Sequence, residues 1–342
     1  MTMTTHMRQE IDEIPQAVAR LLQGSAASLK KAGHSLREKD PAFLITIARG
    51  SSDHAAHFIK YAIEQQAGRA VASIGPSLAS IYGKSLRLDR AGAISISQSG
   101  KSPDIVAMAQ SATASGALTI ALTNTLPSPL AEASAHPIDI NAGPELAVAA
   151  TKSFVNSIVA GLAILAEWTA DKELAHSINN LPEKLTHATK LSWQELHDEL
   201  GEAESLYMLG RGPALAIASE AALKCKETSE VHAEAYSSAE VLHGPVALVG
   251  RRFPVITFAA RDAAEKSVIE TADGLTEKGA LAFITADGAK AARRLPFVET
   301  GHPLTDAVAL IVPFYGFAEA WSRSRGFNPD APPALKKVTE TR

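Results

Sequence analysis

Glu220, Lys224 and Glu227 stand at positions i, i+4 and i+7 of the segment EAALKCKETSEVHAEAYSSAEVLHGP, residues 220–245. Helical geometry puts all three on one face. The same segment ends in His243-Gly244-Pro245, a turn that would present an imidazole on a loop. A carboxylate beside an ammonium, with a histidine free to titrate near neutrality, suits proton shuttling on a sugar. The plainer reading is a surface salt-bridge ladder, worth only about 0.2–0.5 kcal/mol per pair. Spacing alone leaves both open. Lys226, Glu230 and Glu240 read as structural or solvated charges, and His232 and Glu234 stay undecided.

A second group lies in SISQSGKSPD, where Ser97, Gln98, Ser99 and Ser102 follow an apolar run and precede a helix opened by Pro103. Free N–H groups, hydroxyl donors and the positive end of a helix dipole favour an anion there, and a phosphate fits. Helix capping accounts for one of these serines but not for Ser-Gln-Ser directly after a strand. ARGSS at 48–52 offers a similar turn, with Ser51 and Ser52 as donors to the same ligand or as a simple cap. The C-terminal NPDAPPALKKVTETR reads as a frayed end or, if ordered, as a tail whose Lys336 or Lys337 closes over a ligand.

Three look-alikes fail. SGKS at 99–102 has Ser95 where a P-loop needs glycine. GRGPAL at 210–215 lacks the third glycine of a dinucleotide fingerprint. His232-Ala233-Glu234 has no later P-C-x-x-C, which a chain with one cysteine cannot supply.

The elements that must position these groups alternate strand and helix. AFLITIARGSS, RAVASIG, AGAISISQSG, ALTIALTN and HPIDI read as strands, with helices between them and TKSFVNSIVAGLAILAEWTA closing the unit. After the helical link LPEKLTHATKLSWQELHDELGEAE, SLYMLGRGPALAIASEAALKCKE repeats the opening plan, and PVITFAA, ALAFITA and AVALIVPF read as later strands. Arg49-Gly50 and Arg211-Gly212 end the first strand of each copy. This pattern predicts an α/β fold made of two parallel-sheet units. Pro15 is expected to kink or restart the first helix, which spans about 8–36.

The totals agree. The 342 residues are enough for two domains, and 46% hydrophobic residues are enough for their cores. A net charge of -4 without like-charge blocks argues against nucleic acid and acidic membrane surfaces. The first 15 residues lack the apolar core of a secretory signal, and the apolar run near SIVAGLAILAEW is too short to span a bilayer. Cys225, the one cysteine, excludes a disulfide framework and a multi-cysteine zinc site. The expected setting is the cytoplasm.

Taken together, the chain resembles the sugar isomerase (SIS) superfamily, in particular the isomerase half of glucosamine-6-phosphate synthase and the related stand-alone glucosamine-6-phosphate deaminases. MRQEIDEIP, SQSGKSPD, ELAVAATKSF and ALKCKETSEVHAEAYSSAEVLHGP carry the resemblance over nearly the whole length. It implies two tandem SIS domains, each a parallel sheet flanked by helices in a three-layer αβα sandwich. Residues 37–172 and 201–325 would form them, with a helical segment at 1–36, a linker at 173–200 and a closing tail at 326–342. It implies a hexosamine or hexose 6-phosphate held by Ser51, Ser52, Ser97, Gln98, Ser99 and Ser102, with Val148 touching the sugar through its backbone. It further implies that Glu227 moves a proton between C1 and C2 beside Lys224, that Lys337 comes to the site from the tail, and that His243 opens the ring of the substrate held by a dimer partner. No metal or cofactor is implied. Ala150 and Pro333 depart from the family pattern, which usually has a hydroxyl residue at the first and, in the synthase, arginine at the second. The synthase's glutaminase uses an N-terminal cysteine, whereas Cys225 lies mid-helix, so deamination of glucosamine 6-phosphate to fructose 6-phosphate and ammonia is the expected chemistry. Action on another phosphosugar, or sugar-phosphate sensing without catalysis, are the alternatives.

Overall fold

A computed structural model describes residues 4–337. The chain forms two compact units, and each draws on separate stretches of sequence.

One unit takes residues 14–145, 152–179 and 336–337 among those described. Its strands are β1 (Phe43–Ile47), β2 (Val71–Ser73), β3 (Ala91–Ile96), β4 (Leu118–Thr123) and β5 (His136–Asp139). All pair in parallel, in the order β2-β1-β3-β4-β5. Such strands are covered on both faces, which is why AGAISI reads as a continuous buried run rather than an alternating one. Ile45, Ile47, Ala93 and Ala121 pack with Ile105, Met108 and Ala109 of the helix Pro103–Ala114.

The other unit takes residues 4–13, 146–151 and 180–335. It contains β6 (Ser205–Gly210), β7 (His232–Ser237), β8 (Pro254–Thr257), β9 (Leu281–Ile284) and β10 (Arg293–Arg294), again all parallel, in the order β10-β9-β8-β6-β7. Renumbered within its own sheet, this is the order of the first. The expected duplication is therefore present at the level of topology. It extends to single residues: Gly50 (φ 56, ψ -136) and Gly212 (φ 57, ψ -132) cap the first helix of their units in the same backbone conformation. Positive φ with that ψ is open only to glycine, so both Arg-Gly turns depend on it.

Two sequence readings need correction. AVALIVPF is not a strand but part of the helix Pro303–Ser324. That helix is buried from Leu304 to Tyr315 without a break. A helix covered all round shows no amphipathic period, so a short stretch of it cannot be told from a buried strand. The opening helical stretch restarts beside Pro15, as expected, but it also breaks at Ser25, which gives three helices, His6–Asp12, Ile14–Gly24 and Ala26–Lys39.

Candidate active site

In the first sheet the order reverses between β1 and β3, since β2 lies on one side of β1 and β3 on the other. The crevice beyond the carboxyl ends of such a pair is where open α/β sheets collect ligands. Ser51 and Ser52 open the helix Ser51–Gln66 after β1. Ser97, Gln98 and Ser99 follow β3, and Ser102 occupies the N-cap of the helix Pro103–Ala114. All six phosphate candidates thus stand at one sheet edge. The turn is held from within: Gly100 N–H donates to Ser97 Oγ at 3.2 Å and Lys101 N–H to Ser99 Oγ at 3.3 Å. Gly100 has φ +63, and a Cβ there would collide with Ser128. Ser102 makes no side-chain capping bond, so capping does not account for its hydroxyl. The loop presents hydroxyls and the first N–H groups of a helix, which suits an anion.

In the other unit, Glu220, Lys224 and Glu227 lie along the helix Pro213–Ser229, as their spacing predicts. They are not a surface ladder. Glu220 and Lys224 are fully buried, and the Glu227 side chain keeps 19% exposure. Lys224 Nζ lies 3.2 Å from Glu220 Oε1 and 2.5 Å from Glu227 Oε2. Tyr315 donates its hydroxyl to Glu220 Oε1 at 3.2 Å. Burial alone would lower the lysine's pKa, but the two carboxylates outweigh it and hold the ammonium well above its ordinary range. The outer carboxylate, Glu227, is therefore backed by a fixed positive charge while remaining open to a reactant. His243 sits on a different element, the exposed turn after β7, where its N–H donates to the Glu240 carbonyl. Tyr207 supports that turn by donating its hydroxyl to the Pro245 carbonyl at 3.1 Å. Val148 uses its N–H on the Asp330 carbonyl, so a backbone contact to a sugar would fall to its own carbonyl.

A scan against family models matches the SIS domain over residues 36–166 and 199–292. The chain belongs to the SIS domain family. Its SIS sheets have relatives of known structure: a candidate phosphosugar isomerase from Silicibacter pomeroyi DSS-3 is 54% identical, with TM-score 0.93 over 96% of this chain and 100% of that one. The glutamine–fructose-6-phosphate aminotransferase (isomerizing) of Aquifex aeolicus is 31% identical over 97% of this chain but only 57% of its own. The SIS chain thus spans little more than half the length of the curated relatives it matches. The glucosamine-6-phosphate deaminase of Thermotoga maritima is alike in fold, with TM-score 0.74 at 22% identity over 95% of this chain and 100% of that one.

Several SIS residues gain a role that their letters did not announce. Glu10 accepts hydrogen bonds from the N–H groups of Leu146 and Ala147, fixing the backbone just before Val148. Asp330 accepts from the N–H groups of His6 and Met7, both at 2.8 Å, which ties the tail down through its aspartate. Lys337 Nζ reaches Glu145 Oε2 at 3.2 Å, and that buried carboxylate also takes the N–H and hydroxyl of Ser153. Arg49, which reads in the sequence only as the end of a strand, donates its Nε to Asp104 Oδ2, in the first turn of the helix Pro103–Ala114, at 3.2 Å. A cation just before the serine pair Ser51-Ser52 is the signal in the sequence that marks it. Among the described residues no group of three or more His, Cys, Asp or Glu could hold a metal ion, and no helix is long and apolar enough to cross a membrane.

Proposed function

We propose that this SIS protein is an isomerising glucosamine-6-phosphate deaminase. The observation that carries the reading is the buried Glu220-Lys224-Glu227 array, in which the one carboxylate left open is paired to a lysine held charged. The Ser97–Ser102 loop anchors the phosphate. Glu227 removes the proton from C2 of the open-chain sugar and returns it to C1, leaving an imine at C2. Water adds to that imine, releasing ammonia and fructose 6-phosphate. His243 assists ring opening and acts on the substrate held by a second copy of the chain, so the working form is a homodimer. The exposed Leu242 and Leu248, 50% and 66% accessible beside His243, support self-association at this turn. Cys225 is buried and its thiol is pushed up to about 12, so it is not one of the reacting groups.

The test is ammonia release from glucosamine 6-phosphate, run beside N-acetylglucosamine 6-phosphate, galactosamine 6-phosphate and a fructosamine 6-phosphate. Glu227→Gln should cut turnover by ~10²–10⁴-fold with phosphate binding intact. Mixing Glu227→Gln with His243→Ala chains should restore part of the activity if the histidine serves the partner's site. Release from a different phosphosugar would move the assignment within the family. Binding without any ammonia would make the protein a sensor instead.

A further inference from the structure

We infer that Arg49 is a further phosphate-binding residue, held in place by Asp104. This rests on the reading of the serine loop as a phosphate seat. Parallel pairing sets Ile47 opposite Ser95 on β1 and β3. Arg49 and Ser97 each lie two residues beyond this last pair, at the carboxyl ends of the two strands between which the strand order reverses. Arg49 is half exposed, whereas Asp104, in the first turn of the helix Pro103–Ala114, is 1% exposed at its side chain. Asp104 Oδ2 takes the Nε of Arg49 and is the one acceptor this guanidinium has among the described residues. The fork of terminal nitrogens is left for another partner.

The charge balance explains why such a residue belongs here. A buried carboxylate directly behind a helix N-terminus opposes any anion bound at that terminus. Pairing it with Arg49 cancels this opposition. It also fixes the guanidinium through Nε, so that its planar face of donors can address phosphate oxygens bidentately. Ser51, Ser52, Ser97, Ser99 and Ser102 are neutral, and Lys101 is exposed. Arg49 is the cation fixed at this edge by a buried partner.

The experiment is calorimetric titration of inorganic phosphate and of glucose 6-phosphate into wild type, Arg49→Met, Asp104→Asn and the double variant, with steady-state KM and kcat beside it. Thermal melts confirm that each is folded. If Arg49→Met alone does not fold, the double variant, which carries no stranded carboxylate, serves in its place. Arg49→Met should weaken both ligands about 10- to 100-fold, the range of a charge-assisted hydrogen bond. KM should rise with kcat within about threefold. The double variant should stay as weak as Arg49→Met, because the donors to phosphate are gone. Wild-type affinity in either of these two variants overturns the inference. In the double, it would show that Arg49 only neutralises Asp104. Unchanged binding in Arg49→Met beside lost binding in a Ser97→Ala, Ser99→Ala variant would sink Arg49 alone and leave the loop reading standing. A wild-type chain that binds no phosphate would overturn both.

Discussion

Replacing Lys224 by methionine keeps the length of the side chain and removes its charge. In the wild type that charge lies 3.2 Å from Glu220, which is fully buried, and 2.5 Å from Glu227, which is largely so. The variant leaves these two carboxylates, about two helical turns apart on the same helix, without the positive charge between them. Breaking a buried pair by removing one partner costs about 3–5 kcal/mol, because the remaining charge is left uncompensated. For a domain of this size that is a fall in Tm of roughly 6–20 °C, at about 2–4 °C per kcal/mol. Urea unfolding followed by circular dichroism measures it directly. Combining Lys224→Met with Glu220→Gln removes one of the stranded charges and should recover about 1–3 kcal/mol, a non-additivity that reports the coupling. The lysine itself adds no pH dependence near neutrality. Its folded pKa lies above its unfolded value of about 10.4, so its stabilisation is fully present below that value and fades only as pH rises through the folded one. The gap between wild type and Lys224→Met from this group should therefore be flat from about pH 6 to 9. A Lys224→Met protein within about 1 kcal/mol of wild type would refute the idea that the three groups form one coupled charge array.

Two further outcomes follow from the same structure. Cys225, buried and pushed up to about 12 by that burial, should react with an aromatic disulfide reagent at pH 8 at least about 100-fold more slowly than the urea-unfolded chain; equal rates would contradict its placement. Glu145→Gln removes the charge partner of Lys337 while leaving an amide to meet Ser153, and should speed tryptic cleavage after Lys336 and Lys337 roughly tenfold, with an unchanged rate arguing that the ion pair does not hold the tail.

The alternation of strand and helix was legible because parallel strands in this fold are short apolar runs punctuated by Gly and Ser at their carboxyl ends, as at Ile47-Ala48-Arg49-Gly50 and Ile96-Ser97-Gln98-Ser99. The serine loop announced itself for the same reason: its donors sit where a strand must stop. Burial was not legible. The spacing of Glu220, Lys224 and Glu227 is identical for a solvated ladder and for a buried array, and only the packing of the helix Pro303–Ser324 over Glu220 through Tyr315 decides between them. That same helix defeated pattern reading at AVALIVPF, since a segment covered on every side has no polar face to reveal its period. Contacts at long sequence separation were equally silent. Nothing in the letters of Glu10 or Asp330 says that one holds residues 146–147 and the other holds residues 6–7.

The two units are not two consecutive pieces of chain, because residues 4–13 and 146–151 belong with residues 180–335. A gene cut at the middle of the protein would therefore not yield two independent modules. A fragment starting near residue 180 would keep the helix bearing Glu227 and the tail bearing Asp330, but not the Glu10 helix or the Val148 segment that this unit includes. Splitting, swapping or fusing halves of the protein would have to carry those two short stretches along as separate peptides or graft them in by circular permutation.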